Sequence, residues 1–233
     1  MLEDILREGF AELGVECPDP VLARFRAYYE LLTARNAVMN LTAISGEAET
    51  ARLHFLDSAS PLRHVPMEGT RVIDVGSGAG FPGVVLKLLC PSLRLTLLDS
   101  QRKRVDFLTE LCALLGLEDV ECVHARAEDV GPRRERYDFA VSRAVARMNV
   151  LTELCLPYVK PGGAFLALKG PAASGELAEA DRAFKTLGGT VEAVYDEPIP
   201  GGDTRHNLVV TRKTAPTPRR YPRPYGQIKK SPL

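Results

Sequence analysis

The residues best placed to do chemistry are Asp74 and the glycines Gly76, Gly78, Gly80 and Gly83, in the run Val72-Ile73-Asp74-Val75-Gly76-Ser77-Gly78-Ala79-Gly80-Phe81-Pro82-Gly83. An apolar strand ends in an acid, and glycines follow before a helix can start. Glycine lets the backbone turn sharply and lets a ligand lie directly against it. The helix behind the loop offers unpaired N–H groups from its first turn. The pattern implies a site for a nucleotide-like cofactor.

Two cofactors compete for that site. Gly78-x-Gly80-x-x-Gly83 matches the dinucleotide fingerprint, and Asp99 follows at about the distance of a ribose-binding acid. On that reading the protein is a nicotinamide-dependent oxidoreductase. Asp74 favours S-adenosylmethionine (SAM) instead. It lies inside the strand, two residues before the first glycine, where a dinucleotide has no special use for a carboxylate. SAM carries an ammonium and a sulfonium, which a nearby carboxylate complements. It has no phosphate, so the glycines would serve close approach more than anion binding.

The elements that must hold these residues can be read from hydrophobic period. From Leu2 to about Val38 the apolar spacing is helical, and Pro18 and Pro20 divide it into two helices. A loop from Asn36 to Gly46 leads to a further helical stretch, Glu47 to Phe55. From Thr70 the chain alternates strand and helix. Strands are expected at Val72–Val75, Leu93–Leu98, Val120–His124, Phe139–Ser142, Ala164–Lys169, Thr190–Tyr195 and His206–Arg212. Helices are expected at Phe81–Leu89, Gln101–Leu115, Val150–Leu156 and Glu176–Leu187. Such alternation implies a parallel sheet covered on both faces. The link Pro198-Ile199-Pro200-Gly201-Gly202 is too short for a crossover helix, so the last two strands pair antiparallel. The fold class is α/β, a doubly wound, mostly parallel sheet with one antiparallel strand, the class I SAM-dependent methyltransferase form, with an N-terminal helical cap. The expected division is 1–68 for the cap, 69–213 for the SAM-binding domain and 214–233 for a C-terminal arm, which five prolines should keep extended.

Composition narrows the class. The 233 residues suffice for one large core and an appendage. Five cysteines without a Cys-x-x-Cys pair argue against a disulfide framework and against a zinc site. The acidic Met1-Leu2-Glu3-Asp4 start is neither a signal nor a transit peptide, and no apolar run is long enough to span a membrane, so a cytoplasmic enzyme is expected. Net charge is zero but uneven. Residues 1–60 hold ten acids and five Lys/Arg, whereas Thr204 to Leu233 hold eight Lys/Arg and no acid. The basic end points to a polyanion; a merely solvated tail is the alternative.

Ligands of open α/β sheets bind at the carboxyl ends of the strands. Asp99, at the second strand end, can accept both ribose hydroxyls or cap the helix that follows. Ala125-Arg126-Ala127-Glu128 follows the third strand, where an acid or backbone groups can meet the adenine edge. Ser142-Arg143-Ala144 ends the fourth strand, which faces the transferred methyl. Enzymes that methylate exocyclic amines place Asn/Asp-Pro-Pro-aromatic there, and this chain does not. A cytosine C5 enzyme needs a cysteine nucleophile, but Cys155 lies on an apolar helical face. The nucleophile left is a ring nitrogen lone pair, or a hydroxyl with a base nearby.

Asn40-Leu41-Thr42, His54-Phe55-Leu56-Asp57-Ser58, Asp74 to Gly83, Leu98-Asp99-Ser100, Lys103-Arg104, Ser142-Arg143-Ala144, Leu168-Lys169-Gly170 and Arg205-His206-Asn207-Leu208-Val209 occur in this order. Together they resemble the RsmG (GidB) family of small-subunit ribosomal RNA methyltransferases. The resemblance implies SAM-dependent N7 methylation of one guanine, nucleotide 527 of 16S rRNA, in the loop near 530. It also implies a partner in 16S rRNA or the small ribosomal subunit, and a monomer is expected. The arm departs from the family's Pro-Arg-Lys-Pro-Gly-Thr-Pro, reading Pro222-Arg223-Pro224-Tyr225-Gly226-Gln227-Ile228-Lys229-Lys230. Cofactor contacts are expected from Asp74, Gly76, Gly78, Phe81, Asp99, Ser100, Gln101, Ala127, Glu128 and Arg143. Arg143, Lys169, Arg205 and His206 are the expected catalytic and RNA-facing set, with Arg143 or Arg205 on guanine O6 or a phosphate, since N7 must stay free. Each cation could instead serve a structural ion pair, and His54 and Asp57 a hydrogen bond between cap and domain. An RNA-binding assembly factor without catalysis is the third reading.

Overall fold

The computed structural model describes residues 1–171 and 173–233. Two helices, α1 (Leu2–Leu13) and α2 (Asp19–Met39), open the chain, and α3 (Glu47–Thr50) runs on into a π-type turn, Ala51–Leu56. Then follow β1 (Arg71–Val75), α4 (Gly83–Leu89), β2 (Arg94–Asp99), α5 (Arg102–Leu114), β3 (Val120–His124) and β4 (Tyr137–Arg143). The chain continues through α6 (Met148–Cys155), β5 (Val159–Lys169), α7 (Ala173–Leu187), β6 (Gly189–Pro198), β7 (Arg205–Lys213) and α8 (Tyr225–Lys230).

The strands form one sheet in the order β3-β2-β1-β4-β5-β7-β6. β7 pairs antiparallel with both β5 and β6, and the other ladders are parallel. This is the expected mostly parallel sheet with a single reversed strand. Strand order reverses between β1 and β4, so a crevice opens beyond their carboxyl ends. β5 begins earlier than expected. Pro161-Gly162-Gly163 lies inside the strand as an irregularity where the β4–β5 register shifts. A Cβ on Gly163 would stand 2.3 Å from the Asp138 carbonyl, so only glycine lets the strands approach there.

Each face of the sheet has its own core. On one side Leu6, Phe10, Phe25, Tyr28 and Phe55 of the cap share a buried cluster with Val84, Leu97, Phe107 and Leu111, so cap and domain are welded by one apolar interior. On the other, α6 and α7 pack through Leu151, Leu154, Ala180 and Phe184. The arm belongs to this second core, which corrects the expectation of an extended segment. Tyr221, Ile228 and Leu233 are buried in it, and residues 225–230 are helical. The prolines fall before and after that helix, not within it, and proline at a helix start removes no intrahelical bond. Arg223 donates from its backbone N and its guanidinium to Glu153, a carboxylate with no exposed surface. Lys213 is also buried, with Leu156 O, Thr217 and Glu135 around it.

Candidate active site at the strand carboxyl ends

The crevice at the β1/β4 reversal is a cleft of about 810 Å³, ample for a ligand of nucleoside size. Its floor is the glycine loop. Gly76, Gly78 and Gly80 have φ of 77°, 57° and 101°, the left-handed region that glycine enters without strain. Gly83 serves another purpose. A Cβ there would lie 2.7 Å from Asp74 Oδ2 and 2.8 Å from Leu97, so glycine is what brings α4 onto the sheet. The cap fixes the loop from behind, for the buried Tyr28 hydroxyl donates to Ala79 O at 2.6 Å.

Asp99 sits at the end of β2 facing that floor. Its Oδ2 accepts from Gly78 N at 3.0 Å and its Oδ1 from Gln101 N at 2.8 Å, with Arg104 3.5 Å away. Each carboxylate oxygen keeps a second acceptor site. Ser100, Ala127 and Glu128 also line the cleft, next to Leu98, Ala125 and Leu154. A carboxylate for ribose hydroxyls, a glycine floor and an apolar slot fit a SAM-like ligand.

Three expected contacts lie elsewhere. Asp74 does not line the cleft. It is fully buried under the loop, its Oδ2 accepts from Gly83 N at the head of α4 at 2.8 Å, and its Oδ1 has no partner. Burial pushes its carboxyl up to about 7. Gln101 is exposed outside the cleft, its N–H donating to Asp99 and its carbonyl accepting from Arg104 N and Val105 N. Arg205 is on the outer hairpin, bonded to Asp196 at 2.7 Å. Neighbouring strand residues point to opposite faces, so Arg205 turns away where His206 turns in.

Another part of the lining is an interlocked set of polar groups. Arg143 Nη1 donates to Leu53 O at 3.0 Å and to Asp57 Oδ2 at 2.8 Å, and Nη2 donates to His54 Nδ1 at 2.9 Å. His54 Nε2–H therefore donates to Thr42 Oγ1 at 2.8 Å. Burial and the adjacent guanidinium push the His54 pKa down to about 3, keeping the ring neutral. Asp57 Oδ1 accepts from His206 Nδ1 at 2.8 Å. That bond raises the His206 pKa, and with Arg143 it holds the Asp57 carboxyl low against the opposing effect of burial. Phe81 stacks on His54 with centroids 4.3 Å apart, while the Arg143 guanidinium lies 4.9 Å above the Phe81 ring. Of five guanidinium donors, three serve the protein and two remain for a ligand. Lys169 lines the cleft but is tied to Ala146 O at 3.0 Å and Glu176 at 2.7 Å.

Thus Gly76, Gly78, Phe81, Asp99, Ser100, Ala127, Glu128, Arg143, Lys169 and His206 come together at one cleft. His54 and Asp57 bond cap to domain and also set the orientation of Arg143. Sequence reasoning missed Tyr28 and Tyr225, and gave Arg104 no role beyond its place in a motif. Tyr28 reads only as a core position of a helix, and Tyr225 only as an aromatic among prolines.

Comparison with known proteins separates the cofactor readings. The fold resembles a SAM-dependent methyltransferase of Aquifex aeolicus, with TM-score 0.51 at 21% identity over 66% of this chain and 88% of that one. It resembles the YcgJ protein of Bacillus subtilis with TM-score 0.55 at 14% identity, covering 70% of this chain and 100% of that one. The ribosomal RNA small subunit methyltransferase G of Alkaliphilus oremlandii is 47% identical over 100% of this chain and 99% of its own length. The protein of the same description from Pelotomaculum thermopropionicum is 46% identical with the same coverage. The family model described as rRNA small subunit methyltransferase G (GidB) matches residues 21–199. With the model spanning most of the chain and relatives matching end to end, this chain belongs to the GidB family of rRNA small subunit methyltransferases.

Proposed function

We propose that this protein transfers the methyl group of SAM to N7 of one guanine in the 530 loop of small-subunit rRNA, nucleotide 527 of the 16S molecule. The observation that carries the reading is the polar set around Arg143. It presents donors, Arg143 and a His206 biased toward its cation, while its carboxylate, Asp57, is occupied by both. Such a set suits a nucleophile that needs no base. Guanine N7 is an unprotonated lone pair at neutral pH.

SAM, when bound, supplies an electrophilic methyl on a sulfonium. The chain's own residues position and exclude. The glycine floor and Asp99 seat the adenosine, and the two free donors of Arg143 hold guanine O6, leaving N7 open. His206 has Nδ1 committed to Asp57, so Nε2 is its atom for the RNA. One positive charge leaves sulfur and one appears on the purine, so the site's net charge does not change and no proton must move in the attack. Orientation alone can contribute about 7–11 kcal/mol in well-aligned systems. The base must leave its RNA stack to reach the cleft. We take the chain to act as a cytoplasmic monomer, which light scattering near 25.5 kDa would test.

The deciding experiment supplies labelled SAM with unmodified small subunits or naked 16S rRNA and maps the product by N7-specific cleavage. A single labelled guanine at 527 is expected. Cofactor binding without transfer to either substrate would overturn the assignment in favour of a non-catalytic assembly role.

A further inference from the structure

The C-terminal arm does more than carry positive charge, because its path ends at the cleft. Thr217 lies at the foot of the sheet, where its N–H donates to Glu135 at 2.8 Å and its hydroxyl to Leu187 O. Tyr221 O accepts from Arg134, and Arg223 reaches Glu153 one turn up α6. The arm therefore runs between Arg134 and α6. Two residues beyond Arg223, at the head of α8, Tyr225 lines the cleft with 37% of its surface exposed. The same cleft is lined by Leu98, Ala127, Leu154 and Asp99, and Leu98 and Leu154 share their buried cluster with Tyr221 and Ile228 of the arm.

We propose that Tyr225 forms the movable wall of the adenosine subsite, stacking on the adenine ring of the bound cofactor. The inference rests on the SAM-dependent reading above. A flat π-system gains from an aromatic face that closes an otherwise apolar slot. No hydrogen bond among the described residues holds the Tyr225 side chain, so its ring can settle on a ligand. Its backbone cannot wander, because Arg223 is anchored on the buried Glu153 and Ile228 is sunk in the core on its other side. The arm is on this view part of the cofactor site.

The test is equilibrium binding of S-adenosylhomocysteine and of adenosine to the intact protein by calorimetry, with RNA binding measured in parallel. Tyr225→Ala should weaken both ligands about tenfold, by the same factor, and leave RNA affinity within twofold. Tyr225→Phe should bind like the wild type, since the ring and not the hydroxyl acts. Unchanged adenosine affinity in Tyr225→Ala would overturn the proposal. Loss of RNA affinity with intact cofactor binding would also overturn it and make Tyr225 a platform for an RNA base. A wild-type protein that binds neither ligand would instead overturn the cofactor reading on which the proposal rests.

Discussion

Arg143 illustrates how residue type and surroundings divide the work of a site. Three of its donors hold it to Leu53, His54 and Asp57, which costs it freedom and leaves two unused on a residue that lines the cleft. Arg143→Ala should therefore lower kcat about 100-fold, the scale of a misplaced substrate, and leave SAM affinity within about threefold; equal losses would make it a cofactor residue. Asp74 has the opposite character, a buried carboxyl with one oxygen unpartnered. Its folded pKa of about 7 lies above its ordinary 3.8, so it favours the fold below the lower value and loses that contribution as pH rises through 7. Asp74→Asn keeps an acceptor for Gly83 N and cannot ionise. Its melting temperature should fall less than the wild type's between pH 5 and 8, and parallel curves would show that Asp74 stays charged throughout.

At the scale of elements, helices are held close to strands by single small residues and to each other by single ion pairs. Gly83→Ala puts a methyl into Asp74 Oδ2 and Leu97, and overpacking of this kind costs about 1–3 kcal/mol, readable by urea unfolding. Arg223→Ala leaves Glu153 buried without its partner, for which about 3 kcal/mol of lost stability is expected. A loss under about 1 kcal/mol by the same measurement would mean that the arm is only loosely seated. Strand alternation explains one failure of sequence reading. Arg205 and His206 are adjacent in a motif, yet only one can face the cleft, and nothing in the dipeptide says which.

The whole molecule combines a shared core with an uneven surface. The cap is continuous with the domain through the rings Phe25, Phe55, Tyr28 and Phe81, whose successive centroids lie 4.9–5.3 Å apart. Cap packing and loop geometry are thus coupled. Among the described residues Arg219, Arg220, Lys229 and Lys230 stay exposed without carboxylate partners, whereas Arg205, Arg212, Lys213 and Arg223 are paired. Of these eight, only the first four have no carboxylate for a phosphate to displace. Changing them to Gln should reduce the salt slope of RNA binding by up to about 0.9 for each phosphate no longer neutralised, measured by filter binding at salt concentrations from about 50 to about 200 mM. An unchanged slope would place the RNA on another face. Removing residues 214–233 outright would instead uncover the core around Tyr221 and Ile228.

Hydrophobic period sufficed for the alternating elements, the short 198–202 link for the reversed strand and the glycine spacing for the loop, because backbone conformation and burial are set locally by residue type and spacing. The strand-end position of Asp99, Ala127 and Arg143 followed from the same logic. The roles of Asp74, Arg205 and Tyr225 did not, and although a bond from Asp57 to the domain was among the readings, its partners were not. A carboxylate two residues before a glycine can face the ligand or the helix behind it, and the choice depends on where α4 packs. Asp57 acts on Arg143 across 86 residues of chain and on His206 across 149. A proline-rich arm reads as extended until buried Glu153 and the core around Ile228 give it something to fold against. Those decisions belong to tertiary structure, since they are made by partners that adjacent sequence does not contain.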